Sequence, residues 1–269
     1  MEKKINLLFE YLRDLNSIAV AFSGGTDSTF LLAAAKRVLD KKVIAVAACS
    51  PSFPAWERAD VANLAQLLES EYLLLDSNEF EAAEFTANTS NRCYFCKRSR
   101  FRVLCDWAQN NGYAWVVEGT QADDGLEWRP GMQAIAEMAK VKSPLLDIGF
   151  TKQEIRSISR AWRLPTWDKP SSACLVSRLA YGIPITKEVV SQVEQAEQLI
   201  KGFTGKQFRV RHHGKLARIE VPCDDFRVFI REQVAKTITE ELKKLGFTYV
   251  TLDLAGYRVG SMDEVLERN

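Results

Sequence analysis

The stretch "AFSGGTDSTFLLAAAK", Ala21 to Lys36, leaves an apolar segment and runs straight into a helical pattern. Ser23-Gly24-Gly25-Thr26-Asp27-Ser28 stands at the junction. Adjacent glycines let the backbone turn tightly and come close to an anion. A helix N-terminus behind them offers unpaired N–H groups and the positive end of a dipole. Ser23 and Ser28 can donate hydroxyls, and Asp27 can cap the helix or help hold Mg²⁺. The plain alternative, a strand-to-helix turn with a cap, needs fewer of these residues. No Gly-Lys-Ser/Thr is present, so this is not the lysine-containing loop of kinases and GTPases, nor is it Gly-x-Gly-x-x-Gly.

Outward from the loop, β-like runs alternate with helical patterns. "SIAVAF", "VIAVAAC", "EYLLLD" and "AWVVEGT" read as strands; "DSTFLLAAAKRVL", "AWERADVANLAQLL" and part of "YFCKRSRFRVLCDWAQNN" read as helices. This rhythm predicts an α/β fold, a doubly wound and mainly parallel sheet covered on both faces. "TKQEIRSISRAW" opens with a capping box, Thr151 with Glu154. "RLPTWDKPSSACLVSRLAYGIPIT" has three prolines and little periodicity, and reads as an ordered linker. Beyond Lys187 come a helix, then "QFRVRHHGKLARIEV" as two strands around a tight turn, one long helix from about Asp225 to Leu245, and "YVTLDL" as a last strand. The expected domains are 1–165, a linker over 166–186, and a smaller α+β domain over 187–269.

The chain has 269 residues, 46% hydrophobic and 26% charged, with 36 Lys plus Arg against 35 Asp plus Glu and a net charge of +1. That composition is ordinary for a globular protein and lacks the basic excess of a nucleic-acid binder. No apolar run reaches the roughly 18 residues of a membrane span. The N-terminus is charged and helical rather than a signal peptide, so the expected compartment is the cytoplasm. Its six cysteines are then thiols or metal ligands rather than disulfides. Cys93 and Cys96 form a Cys-x-x-Cys pair, which alone fits a metal, a redox pair or neither. Cys174 stands in the linker off any core periodicity, whereas Cys49, Cys105 and Cys223 sit in apolar or strand-like settings and read as bystanders.

The Ser23–Ser28 loop resembles the pyrophosphate loop of the N-type ATP pyrophosphatases. That resemblance implies cleavage of ATP between its α and β phosphates, an adenylylated intermediate and a Mg²⁺ ion. It assigns the nucleotide to Ala21, Ser23, Gly24, Gly25, Asp27, Ser28, Ala47 and Gly119. More specifically, "RPGMQA", "SPLLDIGFTKQEIR", "LPTWDKPSSACLVSRLAYG" and "FRVRHHGKLARIEV" resemble the LarE family. These are ATP-dependent sulfur transferases that make the nickel-pincer nucleotide cofactor. The resemblance implies adenylylation of a carboxylate of pyridinium-3,5-biscarboxylic acid mononucleotide and its conversion to the thiocarboxylate. It puts the sulfur-bearing cysteine at Cys174. Because Cys93 and Cys96 are added here, the chain resembles the branch in which Cys93, Cys96 and Cys174 hold a [4Fe-4S] cluster, with structural zinc as the competing occupant. The sulfur would come from sulfide or a donor protein.

A substrate of that kind needs cations for its carboxylates and phosphate. Ser177 and Arg178 stand in "SRLAYG", and Arg209 and Arg211, at i and i+2 on a strand, share a face that can fork a phosphate. A solvated strand face is the alternative. Glu220 is expected to orient these arginines, and His212 and His213 to be surface residues. "GTQADDG" follows the fourth strand at the carboxyl edge, where such sheets bind ligands, so Gly119 is expected against the nucleotide. Asp123 and Asp124 fit either Mg²⁺ or a solvated loop. Two other functions compete: a tRNA-thiolating enzyme of the same superfamily, and a non-catalytic nucleotide-binding or iron–sulfur regulatory module. A homo-oligomer is expected.

Overall fold

In the computed structural model, residues 1–126, 130–170 and 173–266 are described. The chain divides into two compact units, Met1–Glu79 with Cys93–Ser172, and Phe80–Arg92 with Ala173–Asn269. The first holds strands β1 (Ile18–Ala21), β2 (Val43–Cys49), β3 (Glu71–Asp76), β4 (Trp115–Val117) and β5 (Val141–Lys142) in the order β3-β2-β1-β4-β5. Every pairing is parallel. The expectation of a doubly wound α/β sheet is therefore met. β5 is only two residues long and carries no sequence signal.

Alternation in the strands divides the core in two. Ile18 and Val20 of β1, with Val43, Ala45 and Ala47 of β2, join one cluster with α1 (Glu2–Leu15), α2 (Thr26–Leu39) and α3 (Ala55–Leu67). Ala19, Ile44 and Val46 join the other, with Phe101 and Leu104 of a 19-residue helix, Arg92–Asn110. A strand with both faces buried reads as a near-continuous apolar run, which is why "VIAVAAC" was legible to the residue. α4 (Ala83–Thr86) belongs to the second unit, and the 19-residue helix is α5. α6 (Pro130–Ala136), α7 (Pro144–Ile148) and α8 (Lys152–Ala161) complete the first. α8 begins with the expected capping box: the Thr151 hydroxyl accepts from the Glu154 amide, and the Glu154 carboxylate accepts from the Thr151 amide.

The second unit is α+β. β6 (Arg209–His213) and β7 (Leu216–Glu220) are antiparallel, and β8 (Tyr249–Leu252) lies parallel to β7. They pack with α9 (Lys187–Lys201), α10 (Phe226–Phe229) and α11 (Glu232–Lys244). The single helix expected over Asp225–Leu245 is thus broken. Phe229, Ile238 and Leu242 all enter one core. Nine residues of continuous helix would put Phe229 and Ile238 on opposite faces, about 180° apart. The extended backbone at Arg231, φ −62° and ψ 131°, removes that conflict.

Residues 80–92 belong to this unit through Asn88, which is wholly buried and donates from its amide to the carbonyls of Ala180 and Ile183 at 2.8 and 2.7 Å. Arg92 donates to the Asn88 side chain and to the Leu179 carbonyl. Among the described residues no helix is long and apolar enough to cross a membrane.

Phe30 of α2 has no exposed surface, and its ring meets those of Phe150 and Trp162 at 5.6 and 5.2 Å. Phe30→Ala is expected to cost about 3–5 kcal/mol, read as a lowered denaturant midpoint.

Candidate functional site

The strand order reverses direction between β1 and β4, and the crevice at the carboxyl ends of such a pair is where open α/β sheets hold ligands. The Ser23–Ser28 loop leaves β1 at that point, and Gly119 follows β4. Gly24 adopts φ +69°, which favours glycine, and a Cβ there would also press on the end of the Leu64 side chain of α3 at 3.2 Å. Gly25 is the N-cap of α2, with extended backbone and no side-chain cap. The Thr26 hydroxyl turns away, to the Thr166 carbonyl at 2.8 Å. The hydroxyls of Ser23 and Ser28 lie 3.1 Å apart at the loop mouth. A Cβ on Gly119 would stand 3.1 Å from the Ser28 amide nitrogen and 3.2 Å from the Asp27 carbonyl carbon, a tight contact with backbone that glycine avoids. Next to it the buried carboxylate of Glu118 accepts from the amide and hydroxyl of Thr120 and from Ser143. Ala21 ends β1, and the side chain of Ala47 lies in the core, leaving only its backbone to a ligand.

Asp27 does not cap α2. Both its oxygens accept from Lys152 of α8, at 2.8 and 2.7 Å. Burial pushes its carboxyl above the ordinary range; Lys152 opposes that shift, and the neighbouring Asp124 adds to it. Asp124 accepts from the Gln121 amide, and Asp123 from the first amide of α8. A divalent cation beside Asp27 and Asp124 would relieve the carboxylate repulsion, so this pair fits Mg²⁺. Lys152 stands in the stretch "SPLLDIGFTKQEIR" but has no role legible there, because one lysine in a charged helix reads as a solvated face.

Cys93 and Cys96 lie one turn apart at the start of α5. Gly131 of α6 packs beside them: a Cβ there would meet the Lys97 side chain at 3.1 Å and the Cys93 carbonyl at 3.5 Å. All six cysteines are reduced thiols, Cys49 buried and Cys223 exposed. Burial pushes the Cys105 thiol up to about 11, which keeps it inert at neutral pH. Cys93 and Cys96 belong to the first unit and Cys174 to the second. Three thiols suit an iron–sulfur cluster in kind. Among the described residues, however, no three His, Cys, Asp or Glu side chains gather as a metal site. Arg129 of "RPGMQA" and Ser171 and Ser172 of "SSACLVSR" lie outside the described residues.

In the second unit Cys174 is exposed and caps a 3₁₀ turn, Leu175–Arg178. The Ser177 hydroxyl donates to the Cys174 carbonyl at 2.7 Å. Arg178 is buried; it makes a two-pronged pair with Glu197 at 2.9 and 3.1 Å and donates to the carbonyls of Ala173 and Cys174. Its guanidinium therefore fixes the backbone that carries Cys174. Arg211 is buried against Glu220, its Nε and Nη2 both donating to one carboxylate oxygen at 3.0 and 2.8 Å, and the other oxygen of Glu220 accepts from Arg218 and Ser261. Arg209 lies on the Arg211 face of β6, over the Tyr257 ring, with its Nη1 donating to the Phe208 carbonyl. Burial, and then the charge of Arg178, lower its pKa, which marks a guanidinium short of negative charge.

Glu197 carries no motif, but it stands among Val193, Ala196 and Ile200 on the buried face of α9, and a carboxylate on an apolar stripe is the signal that could have found it. The expectation for His212 fails. It is buried, its ring 5.3 Å from Phe247, donating from Nε2 to Gln192 and accepting at Nδ1 from the Gly214 amide, so it is neutral and structural. His213 is exposed.

The ATP_bind_3 family model, a PP-loop domain, matches residues 1–167. A Lactiplantibacillus plantarum protein named pyridinium-3,5-bisthiocarboxylic acid mononucleotide synthase is 35% identical over 96% of this chain and 92% of its own length. An uncharacterised Synechocystis protein is 37% identical over the whole of both chains, and one from Methanocaldococcus jannaschii 27% identical over 90% of each.

The raised Asp27 carboxyl has a signed consequence. Its protonated form favours the fold; that contribution is complete below the ordinary carboxylate range and lost as pH rises through the folded-state value. Asp27→Asn is expected to be more stable than the parent at pH 7, with the difference vanishing near pH 3, in paired urea titrations.

Proposed function

Since the chain belongs to the PP-loop family and, within it, to the LarE family, we propose that it activates a carboxylate of pyridinium-3,5-biscarboxylic acid mononucleotide with ATP and exchanges the activated oxygen for sulfur. The observation that carries this reading is the uncapped N-terminus of α2, held open behind the Ser23–Ser28 loop with Gly119 against it. A substrate carboxylate oxygen attacks the α-phosphorus, the bond to the bridging oxygen of the β-phosphate breaks, and pyrophosphate leaves. Backbone N–H groups of the loop and the hydroxyls of Ser23 and Ser28 take up its charge. Asp27 and Asp124 are the residues that would hold Mg²⁺. A sulfur nucleophile then adds to the acyl carbon and AMP departs, leaving a thiocarboxylate.

Arg209 is the guanidinium best suited to the substrate's anionic groups, because its own surroundings leave it undercompensated. Arg211 and Glu220 brace the strand beside it, while Arg178, Glu197 and Ser177 hold the turn at Cys174. Cys93, Cys96 and Cys174 are the residues that would hold a [4Fe-4S] cluster, which when bound would supply the sulfur. Without it, Cys174 would give up its own sulfur and be left as dehydroalanine.

Ser28→Ala and Asp27→Asn are expected to slow substrate-dependent pyrophosphate release by about a hundredfold or more; full activity in both would remove the loop from the reaction. Cys174→Ser should still release pyrophosphate and form no thiocarboxylate. After anaerobic loading with iron and sulfide, the protein should turn over repeatedly with the mass of Cys174 unchanged. Dehydroalanine at Cys174 in active, iron-loaded protein would refute the cluster reading.

A further inference from the structure

The Ser23–Ser28 loop is flanked by three cations from α8 and the segment just after it, all within the first unit. Lys152 is paired with Asp27. Lys169 donates to Asp60 of α3 at 2.9 Å and to the Gly24 carbonyl at 3.1 Å, so its ammonium rests against the loop itself. Arg156, four residues after Lys152 and on the same helix face, donates to the Lys169 carbonyl, and its Nε is buried with no hydrogen-bond partner. Asp27 senses both Lys152 and Arg156.

Neither lysine is locked in place. The Lys169 and Asp60 side chains keep 27% and 48% of their surface exposed, and those of Lys152 and Asp27 keep 31% and 25%. Ion pairs with this much solvent contact contribute modestly. A polyphosphate brings several negative charges to the same mouth and outcompetes one carboxylate for an ammonium. Both lysines therefore have a resting partner and a stronger one a short side-chain rotation away.

We propose that Lys152 and Lys169 are exchangeable cations of the loop, parked on Asp27 and Asp60 in the free protein and transferred to a pyrophosphate group when one binds. The ligand class is inorganic pyrophosphate and the β,γ-phosphates of a nucleoside triphosphate. Departure of Lys152 frees Asp27 for a divalent cation, so metal and polyphosphate enter together rather than singly. The inference rests on the ATP-cleaving reading above and adds the groups that receive its leaving group.

Asp60 separates this role from a structural one. If Lys169 merely tethers α3 to the loop, removing either partner weakens the site. If Lys169 is parked, removing Asp60 strengthens it. Titration calorimetry with magnesium pyrophosphate, and separately with AMP, tests this on the full chain. Lys152→Met and Lys169→Met should each weaken pyrophosphate by about tenfold or more and leave AMP unchanged, with the arginine variants recovering much of the loss. Asp60→Asn should tighten pyrophosphate by about threefold. Unchanged pyrophosphate affinity in both methionine variants, equal losses for pyrophosphate and AMP, or weakening in Asp60→Asn would each overturn the proposal. Parent protein that binds neither ligand would instead refute the ATP reading on which it rests.

Discussion

The approach of Gly119 to the first turn of α2 is the constraint on which the nucleotide end of this molecule depends. A parallel sheet leaves its carboxyl edge open where the winding reverses, and here β1 and β4 part on either side of that opening. The β4 end comes within van der Waals distance of the loop backbone, and one methyl group would press that backbone back. Gly24 meets a second demand from the opposite side, a left-handed turn pressed against α3. Between them the helix N-terminus is left with its N–H groups turned outward and no side chain spent on capping. Such a site is expensive for the fold, as the unfavourable ionisation of Asp27 indicates, and that is the usual trade between stability and function.

The second unit solves a different problem. Arg178 and Arg211 are buried, and a buried guanidinium needs geometry that satisfies its N–H groups. Arg178 meets both oxygens of Glu197, and Arg211 gives two N–H groups to one oxygen of Glu220. Arg209 receives only neutral acceptors and an aromatic face. This inequality gives the strand a stiff, neutralised base and one guanidinium with charge to spare.

What could be read from the sequence followed from where the physics is local. The Ser-Gly-Gly-Thr-Asp-Ser turn, the apolar run of β2 and the Thr151–Glu154 box declare themselves within a few residues. Glu197 did not, because its partner Arg178 is nineteen residues earlier on another element. Lys152 and Lys169 stand in stretches that resemble the family, but their role was hidden for a like reason: a charge in a polar helix or loop reads as solvated until the fold brings Asp27 or Gly24 to it. His212 was misread because Gln192 and Phe247, which bury it, come from elsewhere in the chain. The break before α11 is set by which residues share one core, information that no window of helical periodicity contains.

Asn88 makes the second unit discontinuous, and this bears on how the chain is made. Residues 80–92 leave the ribosome long before the segment they serve, for Asn88 waits until 92 further residues have been synthesised before the Ala180 carbonyl exists to accept its bond. Until then a side chain destined for full burial stands in water, and the first unit must close around an excursion that it does not itself bury. Contacts at that separation are costly in loop entropy and slow to form. Folding is thereby coupled to completion of the chain: a fragment beginning at Ala173 lacks the amide that ties together its own 180–183 turn, and an interrupted N-terminal product displays a segment without its counterpart, a feature that quality-control proteases can recognise.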